Sequence, residues 1–178
     1  MWHTATTDRD STMKRRSIIV TICVLMGFLP GCGGLDPTIE PAFSGIRGTI
    51  TFSGGPSAWP TDSIYDLRVV AFEEQPKVPA DIIASLIRQR ASFTPTMLPV
   101  RIDSCTFEIE VLAPPRVFPY VVVAMQVGPN FQQDWLMLDV YAPTGDKTQP
   151  GLLRVPSGDV VNIRFAVDFA NLPPQPFN

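Results

Sequence analysis

Two glutamates in one strand-like segment are the first candidates for catalytic chemistry. Glu108 and Glu110 are separated by one residue in an alternating apolar and polar segment. Because every second side chain of a β-strand points to the same face, their carboxylates would lie about 7 Å apart. A pair at that separation could serve glycoside hydrolysis or bind a cation. The alternative is a solvated strand face, and we predict this alternative and no enzymatic activity.

The positions of histidine and cysteine exclude several other catalytic classes. The one histidine is His3, and the cysteines are Cys23, Cys32 and Cys105. If residues 1–31 are removed, no imidazole remains for Ser-His-Asp or Cys-His catalysis or for a His-ligated metal. Cys105 is then the free thiol, and we predict that it is buried and unreactive. We therefore expect no catalytic residues, no metal and no cofactor.

The N-terminal region has the order of charge and hydrophobicity that is typical of an export signal. A basic cluster at residues 14–16 is followed by residues 18–29, which carry no charge. This apolar stretch is too short to span a bilayer, which takes about 20 residues, but it suits the apolar region of a signal peptide. The segment predicts export rather than a membrane-spanning helix.

The end of this apolar stretch resembles a bacterial lipobox. Its residues are Leu29, Pro30 and Gly31, followed by Cys32. The resemblance implies that residues 1–31 are a lipoprotein signal peptide and that Cys32 becomes a lipid-bearing N-terminus. The alternative is an ordinary cleaved signal with an incidental cysteine. If Cys32 is lipidated, we expect the acyl chains to hold the protein on the membrane.

Neighbouring residues bear on the start and the destination of the chain. Asp8 and Asp10 are acidic where a signal should be basic, whereas Met13 directly precedes the basic cluster. The hypothesis that follows is that translation starts at Met13.

Gly33 follows Cys32 where an inner-membrane retention signal would place Asp. We therefore predict an extracytoplasmic, lipid-anchored protein, on the outer membrane if the cell has two.

The remainder of the chain divides into a tether and one domain. Residues 32–44 mix glycine and proline without periodicity, which is typical of a spacer. Residues 45–178 have the size of a single domain. The whole chain has a net charge of −3, and removal of the basic signal leaves a more acidic remainder. An acidic surface argues against nucleic acid as a partner.

Alternation of apolar and polar residues predicts about seven β-strands after the tether. Residues 160–169 alternate best, with Val161, Ile163 and Phe165 on one face. Residues 120–127 are apolar on both faces, which predicts a strand that is buried on both sides. The predicted strands span residues 45–53, 66–73, 106–112, 120–127, 134–141, 152–155 and 160–169.

One segment between the strands has helical rather than alternating spacing. In residues 81–90, Ile82, Ile83 and Leu86 fall on one side, and Asp81 is a plausible N-cap. We predict a crossover helix that covers a sheet edge or an open end of the core, with a partner-binding helix as the alternative. The resulting fold class is all-β: a Greek-key β-sandwich of about seven strands with one short crossover helix.

Several of these segments together resemble a known domain family. The residues that carry the resemblance are Gly45–Phe52 (GIRGTITF), Trp59-Pro60, Asp66–Phe72 and Pro119–Ala124. They are similar to carboxypeptidase-regulatory-like or transthyretin-like (prealbumin-like) domains, over roughly residues 45 to 170. The resemblance implies a prealbumin-like sandwich. It also implies a non-catalytic part of a secreted or surface protein, although such a fold does not by itself define an activity.

Aromatic side chains are the candidate binding residues. Trp59, Trp135 and Tyr141 could form a surface that stacks on sugars or anchors a partner. The alternative is that Trp59 plugs one end of the sandwich and Trp135 belongs to the core or the sheet surface. Exposure of Trp59, Trp135 or Tyr120 would favour a carbohydrate-binding module, because starch-binding domains resemble this sandwich; burial would favour a structural or interaction module.

The C-terminal residues 171–177 are rich in proline, and we predict a strap that packs back on the domain rather than a docking segment. Taken together, the sequence predicts a lipid-anchored lipoprotein of the cell envelope with a non-catalytic structural or protein-interaction module. Its expected partners are the membrane, through the lipid on Cys32, and an envelope protein. The alternative is a carbohydrate-binding module with a glycan partner.

Overall fold

The computed structural model describes residues 43–177, which form an all-β fold with one α-helix. The predicted signal peptide, the lipobox, Cys32 and the tether up to residue 42 lie outside the described residues. Helix α1 spans Pro79–Ile87, and a short 3-10 helix spans Gly55–Ala58. The strands are β1 Gly45–Phe52, β2 Asp66–Phe72, β3 Ala91–Phe93, β4 Ser104–Glu110, β5 Arg116–Phe118, β6 Tyr120–Gln126, β7 Trp135–Val140, β8 Leu153–Val155 and β9 Val160–Val167.

The strands form three sheets. Sheet I has the order β4-β1-β9, in which β1 pairs antiparallel with β4 and parallel with β9. Sheet II has the order β3-β2-β6-β7 and is antiparallel throughout. Sheet III is the short antiparallel pair β5-β8. The all-β class that the alternation predicted is therefore confirmed.

Sheets I and II contribute to one main core. Alternate residues of β1, β2, β4, β6, β7 and β9 point into it. For β1, β4 and β9 this is the alternation that the sequence predicted. These side chains are excluded from solvent and form a single cluster. The members include Ile46 and Ile50 of β1, Ile109 of β4, Phe165 of β9, Val69 of β2, Val123 of β6 and Leu138 of β7.

The structure contains two short strands that the sequence did not predict. β3 and β5 have three residues each, which is too short for an alternating pattern to be recognised. The strand predicted to end at residue 169 ends at Val167. There the side chain of Asp168 accepts a hydrogen bond from the Ala170 amide at 3.0 Å and turns the chain.

Helix α1 begins earlier than the sequence predicted, and Asp81 is not its N-cap. Val78 is the capping residue, and Asp81 lies in the first turn. The Asp81 carboxylate accepts hydrogen bonds from the backbone amides of Lys77 at 2.8 Å and Val78 at 3.1 Å. These hydrogen bonds favour the charged form and lower the pKa of Asp81. Asp81 therefore still stabilises the start of the helix, from a different position.

The helix covers a sheet face rather than an edge or an open end. Ile82 packs against a second apolar cluster on the outer face of sheet II, which contains Phe72, Tyr120, Val122 and Met137. No residue of α1 is itself buried. Within the described range 43–177, no helix is long and apolar enough to cross a membrane. The helix therefore forms part of a cover over sheet II, and that cover is incomplete.

Candidate functional site: an apolar groove on sheet II

The structure places Trp59 in the main core, which corrects its assignment to a binding surface. Its side chain is 5% exposed, and its ring packs between Phe52 and Phe169 at centroid distances of 4.4 and 5.0 Å. The indole Nε1 donates a hydrogen bond to the carbonyl oxygen of Ile102 at 3.0 Å. The indole nitrogen has a hydrogen-bond partner and the ring is enclosed by other side chains. Trp59 therefore fills the core, in agreement with the alternative prediction that it plugs one end of the sandwich.

The other two aromatic candidates lie in different environments. Tyr141 is partly buried and packs against the main core, with its backbone amide bonded to the Val121 carbonyl at 2.8 Å. Trp135 is half-buried on β7, and its Nε1 donates to the Phe131 carbonyl at 2.7 Å. The rings of Trp135 and Phe131 meet edge to face at 5.6 Å. The structure therefore does not bring Trp59, Trp135 and Tyr141 together into one surface.

Trp135 instead borders a groove on the outer face of sheet II, which we call the sheet II groove. Its floor consists of alternate side chains of three adjacent strands, because residues two apart on a strand share a face. The register sets Phe72 beside Tyr120, Val70 beside Val122, and Ala124 beside Met137. The floor is therefore continuous from β2 across β6 to β7. These six members are apolar except for the tyrosine hydroxyl, and Asp66 and Arg68 continue the same face of β2 as the polar end of the groove.

The walls of the groove come from segments that are far apart in sequence. The groove has a volume of about 310 Å³. Helix α1 provides one wall, and the segment after β3, the loop before β7 and the C-terminal residues provide the others. The wall residues are Ile82 and Leu86 of α1, Phe93 and Pro95, Phe131 and Trp135, and Pro176 and Phe177. Such a concave apolar space has the size and lining of a small-ligand site.

The C-terminal wall is held in place by a glutamine. Gln175 Oε1 accepts a hydrogen bond from the Met137 amide at 2.8 Å, and its Nε2 donates to the Met137 carbonyl at 3.0 Å. The side chain thus pairs with the edge of β7 as a neighbouring strand would. Leu172 packs against the main core. The C-terminal segment is a strap, as predicted, and it places Pro176 and Phe177 at the groove.

The polar groups beside the groove already have partners. Arg68 Nε donates to both carboxylate oxygens of Asp66 at 2.9 Å, and Arg68 Nη1 donates to the Thr94 carbonyl at 2.7 Å. Asp66 also accepts a hydrogen bond from the Leu67 amide at 2.8 Å. The charges of the pair cancel, so this end of the groove is polar but has no net charge.

Tyr120 contributes an apolar ring to the floor and no exposed hydroxyl. It is 3% exposed, so it does not form the exposed ring surface that would favour carbohydrate binding. Its hydroxyl donates to Met137 Sδ at 2.9 Å. Burial raises the pKa of Tyr120 to about 12, because the phenolate would be poorly solvated there. The phenol therefore stays neutral across the physiological range.

The titratable candidates from the sequence lie away from the groove. Glu108 pairs with Arg47 on the exposed face of sheet I, and Glu110 is exposed beyond it. Cys105 is half-buried rather than fully buried, and burial raises the pKa of its thiol. Among residues 43–177, no three acidic, histidine or cysteine side chains are grouped to hold a metal ion. The carboxylate that lines the groove is Asp66, which Arg68 neutralises.

The described residues therefore define an all-β protein with an apolar groove between one sheet, its helix and its C-terminal strap. Comparison of the chain with protein-family models, curated proteins and solved structures gives no match.

Sequence reasoning singled out two aromatic residues of the groove, Trp135 of the wall and Tyr120 of the floor, and missed the other floor residues. A signal for them was present, because the β6 segment was predicted to be buried on both faces. In an antiparallel sheet with one core, a strand that is apolar on both faces requires a second cover. Val122 and Ala124 are the outward members of that strand, and Val70 repeats the pattern on β2.

Proposed function

We propose that the protein is a lipid-anchored lipoprotein of the cell envelope whose β-domain is a non-catalytic binding module. The observation that carries the binding role is the sheet II groove, because its lining is apolar and its polar groups already have partners. Such a site gains free energy by removing apolar surface from water, at about 25 cal/mol per Å². It offers no free acid, base or nucleophile for a reaction.

The anchor is proposed from the sequence order at the N-terminus. A basic cluster, an uncharged apolar segment and the lipobox-like Leu29, Pro30 and Gly31 precede Cys32. An N-terminal lipid at Cys32 would tether the domain outside the cytoplasm, on the outer membrane in a cell with two membranes. The two-sheet core is compatible with the proposed Greek-key, prealbumin-like sandwich.

Cell fractionation with two matched cysteine variants tests the anchor. We expect wild type and Cys105→Ala to remain in the membrane fraction, because Cys105 lies half-buried at the start of β4 and has no part in anchoring. Cys32→Ala should move to the soluble fraction or remain as an uncleaved precursor. Membrane retention of a processed Cys32→Ala chain would contradict the proposed anchor.

A carbohydrate-binding module is the second candidate, and one observation favours it. The Phe131 ring is 47% exposed beside the half-buried Trp135 at the rim of the groove. The edge-to-face arrangement of these rings does not offer a flat platform, and the other two rings in question, Trp59 and Tyr120, are buried. Binding to envelope polysaccharides that is lost in Trp135→Ala and kept in Tyr65→Ala would establish this candidate instead.

A further inference from the structure

We propose that the sheet II groove binds a single acyl chain of a lipid in the bilayer to which the protein is tethered. The proposal rests on the proposed anchor for its source of lipid. It assigns a ligand class to the groove, and it makes the face formed by sheet II and α1 the side of the domain that meets the membrane. Four properties of the groove carry it.

The first property is that the polar side chains of the described lining already have hydrogen-bond partners. A peptide brings an amide for each residue and a sugar brings several hydroxyls, and each would need a partner on being buried. At the groove the Asp66–Arg68 pair is internally bonded, the Tyr120 hydroxyl is bonded to Met137, and the Trp135 indole is bonded to Phe131. A hydrocarbon chain requires no such partner, so the lining favours it over a peptide or a sugar.

The second property is the charge at the polar end of the groove. Asp66 and Arg68 together carry no net charge, and the remaining lining is uncharged. The carboxylate of a free fatty acid at this end would be attracted by Arg68 and repelled by Asp66, so it would gain little binding free energy. The uncharged ester that joins an acyl chain to the glycerol of a membrane lipid suits this end better.

The third property is size. The volume of about 310 Å³ lies at the lower end of the range for small-ligand pockets, which is about 300–1,000 Å³. The groove is partly open, so the remainder of a longer chain can extend out of it. A site of this size suits a single hydrocarbon chain.

The fourth property is the apolar surface around the groove. Phe93 and Phe131 on the walls are 46% and 47% exposed. On α1, Ile83 and Ile87 face Gln132 and Gln133, which follow Phe131 in the chain, and Ile87 is 76% exposed. The exposed apolar surface therefore continues from the groove over the helix, as expected of a face that rests on lipid.

The proposed tether allows this face to reach the bilayer. Ten residues separate Cys32 from Phe43, the first described residue, and the eleven Cα–Cα steps between the two can extend over at most about 36–40 Å. A domain of this size has a radius of gyration of about 14 Å. The full reach of the tether is thus comparable to the width of the domain, which leaves room for a side of the domain away from Phe43 to meet the membrane that holds Cys32.

Fluorescence quenching by brominated lipid tests the proposal, because bromine quenches an indole that it contacts. The full chain is purified from membranes and reconstituted in vesicles of phosphatidylcholine with brominated acyl chains, or with ordinary chains as the reference. We expect bromination to lower the Trp135 emission at least twofold. Trp135→Phe should abolish this loss, since Trp59 is enclosed in the core.

Two variants in which phenylalanine replaces an alanine distinguish an acyl chain inside the groove from a bilayer that only lies close to Trp135. Ala124→Phe fills the floor of the groove, whereas Ala166→Phe adds the same ring to the exposed face of sheet I. Circular dichroism confirms that both are folded. We expect Ala124→Phe to reduce the quenching at least twofold and Ala166→Phe to leave it unchanged. Equal quenching in wild type and a folded Ala124→Phe would overturn the proposal.

The mass of the N-terminus, measured on the same samples, distinguishes the two proposals. A lipidated Cys32 without quenching of Trp135 would overturn the acyl-chain groove and leave the anchor intact. Suppose instead that Cys32 is unmodified and that Trp135 is quenched in wild type but not in Ala124→Phe. This result would support the acyl-chain groove and overturn the anchor.

Discussion

Lys147 Nζ lies 2.9 Å from Oδ1 of Asp139, whose side chain is almost completely buried on β7. The second carboxylate oxygen of Asp139 accepts the Ala166 amide at 2.8 Å, and Lys147 donates to the Ala166 carbonyl at 3.1 Å. The two side chains thereby join β7, the edge of sheet II, to β9, the edge of sheet I.

Loss of either side chain should therefore destabilise the fold. Lys147→Met leaves the almost completely buried carboxylate of Asp139 without its cation, and we expect a loss of about 3–5 kcal/mol in the free energy of unfolding. Asp139→Ala leaves the Val140 and Ala166 amides without their acceptor, and we expect a loss of about 1–3 kcal/mol. Urea denaturation measures both, with the exposed Lys77→Met as the control. Equal stability of Asp139→Ala and wild type would contradict this role.

Gln175 should hold the C-terminal strap against the groove. Gln175→Ala removes both hydrogen bonds to the Met137 backbone, and we expect a loss of about 1–2 kcal/mol. The Met137 amide should also exchange its hydrogen faster, which mass spectrometry or NMR can follow. Gln133→Ala in an exposed turn is the control. Unchanged exchange at Met137 would show that the strap is not held by this side chain.

Burial of Tyr120 should make the fold less stable at alkaline pH. The folded pKa is raised to about 12, against about 10 in the unfolded chain. Between these values the unfolded state releases the phenol proton and the folded state keeps it, so stability falls as the pH rises from 10 to 12. Urea midpoints across this range should fall less in Tyr120→Phe. Parallel pH dependence in both chains would contradict the burial.

The close approach of three strands at Gly48 should exclude any side chain there. A Cβ at Gly48 would lie 2.7 Å from the Phe107 ring and still closer to the Ile163 carbonyl oxygen. We expect Gly48→Ala to cost about 3 kcal/mol by overpacking. At Gly145, where φ is +82° and no atom lies within 4 Å, Ala should cost only about 1 kcal/mol of backbone strain. Thermal unfolding of the two variants compares them.

Most strands could be predicted from the sequence, because a strand with one buried face alternates apolar and polar residues. Residues such as Ile163, Phe165 and Val167 of β9 show that period directly. β3 and β5 are too short to show any period, so only their partners across the sheet define them. The contact of Lys147 with Asp139 could not be predicted for a similar reason, because the pairing of distant strands places Asp139.

The groove could be predicted only in part. The apolar outer residues of β6 indicated that something covers sheet II, but not that α1 and the strap leave part of it open. Trp59 lies between Ala58 and Pro60, whereas Trp135 lies between Asp134 and Leu136, and neither local sequence shows whether the ring is buried. Only the packing of Trp59 between Phe52 and Phe169 separates the core ring from the ring at the groove.

The measurement that tests the proposed lipoprotein most directly is the intact mass of the protein from the membrane fraction, beside Cys32→Ala. We expect a chain that begins at Cys32 and carries the added mass of acyl groups. We expect the variant to lack the lipid, and either to leave the membrane or to remain as an uncleaved precursor. A soluble chain with an unmodified Cys32 would contradict the anchor.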